Sequence, residues 1–317
     1  MEIGATFSHY HLQDLGLNAK KAIREFHKLG LEWARLGCYW NEIEKEKDKF
    51  DFKGLDKIVE YCEKKDIKVA MTLGMKAPRW PEYFIPEWAS LDNLDKYGVV
   101  KANGKFLSEC LSFTEKCVKN YKKHKCIKVW QIENEPFDPS GPYSLRIEEE
   151  FIKKEVELVR QLDNTRKIMV NVWGNEYFAR RTHKKAQKYA DIIGFDFYLR
   201  VPSPFLNKLK KYFGPVVPRW LTKRTFDSLR KNGKEAWIVE LQMEPWEPGE
   251  IVSQKNNPES FLSKHFKKNL SYGKNLKPDV ILLWGFEYWY WRLEKYKDQR
   301  YWSIASKEIS SFLKNNK

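Results

Sequence analysis

Apolar positions along this chain alternate between two rhythms. Short, mostly apolar runs fall at residues 2–8 (EIGATFS), 32–39, 67–74, 127–133, 167–173, 191–198, 236–242 and 279–286. Runs this short, bounded by polar residues, predict buried strands. Between them the spacing becomes helical. In 18–30, Ala22, Ile23, Phe26 and Leu29 share one face, and 54–66 repeats the pattern. Further helices are predicted over about 108–124, 146–162, 180–189, 223–232, 258–271 and 305–314. Eight strands, each followed by a helix, form the pattern of an α/β protein of the (β/α)8 barrel type. No Gly/Ser-rich linker divides the sequence, so residues 1–317 are read as one barrel domain. A segment after strand six, about 200–226, is long for a βα loop.

A barrel of parallel strands gathers its chemistry at the C-terminal ends of the strands. Strand four runs into WQIENEPFD (130–138), which places Glu133, Glu135 and Asp138 at that rim. Strand seven runs through AWIVELQMEPW, so Glu240 follows Ile238 and Val239. Two carboxyl groups flanking one sugar acetal are the usual equipment of glycoside hydrolysis. One protonates the leaving oxygen, and the other attacks the anomeric carbon or activates water. A separation of about 5–5.5 Å predicts retention of configuration and a wider one inversion. Asn134 offers a side-chain amide to a sugar hydroxyl beside Glu135. Glu133 is read as supporting a neighbour through an ion pair, and Glu244 as a loop residue near the sugar.

Composition adds substrate platforms. The chain has 13 Trp, 16 Tyr and 19 Phe. Trp40, Trp80, Trp88, Trp173, Trp246, Trp284, Trp289 and Trp291 follow or end predicted strands, where indoles stack on sugar faces and donate N–H bonds. Trp33, Trp130 and Trp237 read as core. The formal charge is +15, yet acids and bases interleave, as in EKEKDKFDFK (44–53). No nucleic-acid recognition motif is present, so no nucleic-acid partner is expected.

The stretch WQIENEP resembles the Asn-Glu-Pro motif of the clan A glycoside hydrolases, retaining enzymes built on (β/α)8 barrels. Residues 35–74 resemble the second and third β/α units of families 5, 39 and 42. The resemblance implies that Glu135 is the acid/base and Glu240 the nucleophile. It implies further that Arg35 supports Glu240, that the Tyr198 hydroxyl bonds it, and that Trp284 is the indole of strand eight. The physics of the roles agrees. A guanidinium keeps a nucleophilic carboxylate ionised, while burial and a like charge keep an acid protonated.

Other classes fit less well. HYH (9–11) after strand one has the His-x-His form used by metal-dependent amidohydrolases, but strands five and six end without His. No metal or organic cofactor is expected, and His9 reads as a polar neighbour of the sugar or as structural. Five cysteines without a CxxC pair read as reduced structural thiols. No signal peptide and no apolar run of about 20 residues is visible, which predicts a cytoplasmic enzyme. A retired barrel that only binds saccharide is one alternative. Another takes the basic, aromatic segment 200–226 as a peripheral membrane contact, with a glycolipid as substrate.

Overall fold

The structure is a computed structural model that describes residues 1–175, 181–202, 212–247, 252–254 and 256–315. Eight parallel strands close a barrel: β1 (Glu2–Thr6), β2 (Trp33–Gly37), β3 (Lys68–Leu73), β4 (Ile127–Ile132), β5 (Lys167–Trp173), β6 (Ile192–Phe197), β7 (Glu235–Gln242) and β8 (Val280–Trp284). Neighbours in sequence are neighbours in the sheet, and β8 pairs with β1 from Glu2 opposite Val280 to Ala5 opposite Leu283. Among the described residues, major helices on the outside include Ala19–Lys28, Lys53–Lys64, Gly104–Tyr121, Glu149–Leu162, Thr182–Tyr189, Arg219–Lys231, Phe266–Leu276 and Arg300–Lys314.

Each predicted strand is present within a residue or two of its expected ends. The helices depart more. Three additional ones occur at His9–Asp14, Trp40–Ile43 and Phe286–Tyr296, the last inserted between β8 and the C-terminal helix. The predicted helix over 258–271 instead starts as a short turn at Ser263–His265 and runs on to Leu276.

Alternation sorts the strand residues into two cores. Outward residues such as Ile3, Leu36, Met71, Ile132, Val170 and Phe195 pack under the helices. Inward residues Trp33, Ala70, Val129, Met169, Ile192, Trp237, Val239, Val280 and Leu282 fill the barrel. Trp33 and Trp237 meet edge to face at 4.8 Å toward the N-terminal end, where Trp33 Nε1 also donates to Glu2 at 2.6 Å. The barrel interior is therefore a packed plug rather than a pore. Above it the inward positions turn polar: Arg35, Gln131, Asn171, Asp196, Glu240 and Gln242, all buried.

One irregularity sets that polar layer. Along β7, Ile238 lies opposite Phe195 of β6 and Glu240 opposite Asp196, so the register slips by one residue at Val239. Strict alternation would send Glu240 outward with Ala236 and Ile238. The β-bulge re-aims it inward, a common use of bulges beside functional sites.

Candidate active site

A cavity of about 350 Å³ opens at the C-terminal rim of the barrel, and Asn134, Glu135, Tyr198, Glu240 and Trp284 line it. Arg35 lies under it, fully buried on β2. Its guanidinium donates from Nη1 to Glu240 Oε1 at 2.7 Å, from Nη2 to Asn134 Oδ1 at 2.5 Å and from Nε to Gln131 Oε1 at 2.8 Å. The other Glu240 oxygen accepts the Tyr198 hydroxyl at 2.7 Å. Glu240 thus has both oxygens held, one by the Arg35 guanidinium and the other by the Tyr198 hydroxyl.

Glu135 sits opposite in character. Burial first, and the nearby Glu240 charge second, push its carboxyl up to about 8. Its backbone lies in the left-handed region (φ +44°), as does that of Glu133 (φ +57°). Such conformations cost side-chain-bearing residues on the order of 1 kcal/mol each and persist where surroundings hold them. Here Asn171 Oδ1 accepts the Glu135 N–H at 3.0 Å, and Lys76 Nζ donates to the Glu135 carbonyl at 2.8 Å.

Glu133 takes a different part from the expected ion pair. Its carboxylate accepts the backbone N–H groups of Met75, at 2.9 Å, and Lys76, closing over Gly74. Gly74 has φ +98°, and a Cβ there would lie 2.1 Å from Glu133 Oε1, so only glycine fits. Behind it Glu155 hydrogen-bonds Glu133 and accepts the Cys110 thiol at 3.6 Å. Burial, then the Glu133 charge, push Glu155 well above the usual carboxylate range. These three groups carry atoms within 4.8 Å of one another. A buried pair of carboxyl groups sharing a proton accounts for them.

The aromatic expectations divide. Trp80, Trp173, Trp246 and Trp284 line the cavity. Trp173 stacks on Tyr198 at 5.4 Å, and Trp246 leans on both at the mouth, 44% exposed. Trp40 does not reach the cavity. The short helix Trp40–Ile43 turns it beneath the rim, where it is fully buried, stacks on Phe113 at 5.4 Å and donates to Glu44 at 2.7 Å. Trp289 is likewise buried, bonded to the Met243 carbonyl.

His9 is also elsewhere. It pairs with Glu42 at 3.0 Å beside a separate cavity. Two residues on, the helix His9–Asp14 brings His11 to the main cavity instead, and burial holds His11 well below its ordinary value, so it is neutral.

Four residues that the sequence did not single out shape the site. Gln131, Asn171 and Asp196 complete the polar layer. Arg79 lines the cavity, pairs with Glu244 and Glu287, and lies 4.0 Å over the Trp284 ring. In the segment 200–226, Phe205, Leu206 and Leu209 fall outside the described residues. Trp220 is the second residue of the helix Arg219–Lys231 and is exposed. Among the described residues no helix is long and apolar enough to cross a membrane.

Residues 15–149 match the family model Glyco_hydro_42, described as Beta-galactosidase. Over 119 residues the chain is 27% identical to Beta-galactosidase bgaB of Geobacillus kaustophilus, an alignment covering 34% of this chain and 17% of that protein. Among solved structures, a polyextremophilic beta-galactosidase from the Antarctic haloarchaeon Halorubrum lacusprofundi superposes with a TM-score of 0.61 at 16% identity. That match covers 98% of this chain and 58% of the haloarchaeal one, so the chain spans little more than half its length. Xylanase 10B from Thermotoga maritima gives 0.60 at 16% identity over 98% of this chain and 96% of its own. The chain is thus a (β/α)8 barrel that resembles the clan A glycoside hydrolases, with its similarity to the family 42 model carried by residues 15–149.

Proposed function

We propose that this protein hydrolyses a β-linked glycoside with retention of configuration, with Glu135 as acid/base and Glu240 as nucleophile. The observation that carries the reading is the opposed treatment of two carboxyl groups in one cavity. Glu240 is held by Arg35 and Tyr198, and its charge helps keep Glu135 protonated.

In the first step Glu240 attacks the anomeric carbon while Glu135 gives its proton to the departing glycosidic oxygen. The bond to the aglycone breaks as the glycosyl ester forms. With Glu240 esterified, the charge that raised Glu135 is gone, so Glu135 is the better able to remain ionised and take a proton from water. That water attacks the same carbon, releasing the sugar and restoring both groups. Trp173, Trp246 and Trp284 supply apolar faces for the sugar ring, and Asn134 a hydroxyl partner.

The relatives named β-galactosidases make β-galactosides the first substrates to assay. A nitrophenyl glycoside panel with defined oligosaccharides tests the activity. Proton NMR of the first-formed anomer tests the stereochemistry. An inverted product, or no turnover of any glycoside, contradicts the proposal.

A further inference from the structure

Asp196 is fully buried on the inward side of β6, two residues before Tyr198. Its surroundings are tightly specified by Asn171. The Asn171 Nδ2 group donates to Asp196 Oδ2 at 2.7 Å and to Asn134 Oδ1 at 2.9 Å. The Asn171 Oδ1 atom accepts the Glu135 N–H and Gln131 Nε2, each at 3.0 Å. With two acceptors on one side and two donors on the other, this amide has one orientation.

The remaining oxygens are the informative ones. Asp196 Oδ1 and Glu135 Oε1 are both buried, and neither accepts from an amide, hydroxyl or cationic donor among the described residues. The two carboxyl groups instead hydrogen-bond each other. Two carboxylate oxygens meet this way only when one carries a proton.

Resting on the reading of Glu135 as acid/base, we propose that Asp196 is its positioning residue, a neutral carboxylic acid whose proton is shared with Glu135 Oε1. That contact pins one Glu135 oxygen and leaves the other to the glycosidic oxygen. When Glu135 gives up its own proton to the aglycone, Asp196 keeps its proton and donates that hydrogen bond to the new carboxylate. Every charged or titratable group around the pair fits this assignment. Glu240 and Asp138 disfavour a further negative charge, Arg35 and Lys76 provide the opposing cations, and the Tyr198 phenol, pushed up by burial and the nearby carboxylates, stays neutral. Burial, then Glu240 and Glu135, hold Asp196 well above the usual carboxylate range.

The test uses D196A and D196N in the full chain, on an alkyl and a dinitrophenyl glycoside of the same sugar. D196A should lower kcat/KM for the alkyl glycoside by roughly 10²-fold, the low end for acid–base assistance, and spare the dinitrophenyl one. Its alkaline limb should move to higher pH, because the bond favouring ionised Glu135 is lost. D196N keeps a donor toward Glu135 and an acceptor for Asn171, so it should recover much of the loss and return the limb toward the wild-type position. Equal losses on both substrates, or an unmoved limb in D196A, would mark a merely structural role and overturn the proposal. Should D196A fail to fold, the infrared difference between wild type and D196N at neutral pH decides. One protonated carboxyl band should vanish, and its persistence overturns the assignment. A wild type without glycosidase activity, or E135A matching it, removes the acid/base reading and this proposal together. A normal Glu135 phenotype with an unmoved D196A limb removes this proposal alone.

Discussion

Val239 and Glu240 are consecutive residues of β7, yet both side chains face the barrel interior. Val239 packs with Met169 and Leu282, and Glu240 reaches Arg35 at 2.7 Å. The register slip beside Asp196 makes this geometry. It places Glu240 one level above the apolar plug, where its charge acts on Glu135.

Glu240→Gln should abolish turnover, with kcat falling on the order of 10⁴-fold or more, as for other nucleophile deletions. Arg35→Met tests the support beneath it. Removing one partner of a buried pair costs about 3–5 kcal/mol, because the other charge is left alone. Denaturant unfolding should record that loss, and activity should fall with it. Wild-type stability in Arg35→Met would contradict the geometry.

Glu135→Ala should discriminate by leaving group. Alkyl glycosides should slow by about 10²–10⁴-fold. Dinitrophenyl glycosides, which need no protonation, should keep their first step and accumulate the glycosyl ester. Azide should then restore turnover and give a β-glycosyl azide. A uniform loss on all substrates would contradict the assignment.

Thermal stability should decline from mild acid to mild alkali. Glu133 is pushed up to about 7 and Glu135 up to about 8, and Glu155 and Asp196 also lie above the usual range. Glu133, Glu155 and Asp196 are buried and Glu135 is half-buried, and desolvation is the first cause for each. The folded chain therefore holds these protons more tightly than the unfolded one. Their contribution is complete below about pH 4.5 and is lost as pH climbs through 7 and 8. Each tenfold difference in proton affinity is worth about 1.4 kcal/mol at most. Calorimetric melting from pH 5 to 9 should show the fall, and Glu155→Gln should flatten it. A midpoint that rises over this range would contradict the buried acid network.

Trp246 and Trp40 should behave as different kinds of residue. Trp246→Ala removes a cavity-mouth ring, so KM should rise about tenfold with little change in kcat. Trp40→Ala should leave KM alone and destabilise the fold by about 3–5 kcal/mol, the cost of emptying a buried indole. Steady-state kinetics beside thermal melts separate the two.

The strands were legible because each is a short apolar run that must be buried on both faces. Arg35, Asn134, Tyr198 and Trp284 were legible through resemblance, and all four meet around Glu135 and Glu240 or beneath them. Trp40 and His9 were misplaced because sequence order fixes which strand a residue follows but not which way the next turn carries it. The turns Trp40–Ile43 and His9–Asp14 carry one into the core and the other to a different cavity. The bulge at Val239 has no compositional mark, and strict alternation alone argues against Glu240 facing inward. Asp196 did leave a trace: an acid inside the apolar run IIGFDFY, with inward parity shared with Tyr198.

The Trp33–Trp237 contact at the far end of the barrel has a consequence for traffic. With that floor shut, the cavity opens, among the described residues, at the rim that carries Trp246. In the retaining reaction proposed above, the alcohol fragment would vacate before a water molecule takes its place, so release would be ordered: aglycone first, free sugar last. In that proposed reaction another alcohol at the threshold would compete with water for the glycosyl ester, so sugar transfer is the side reaction to expect at high substrate concentration.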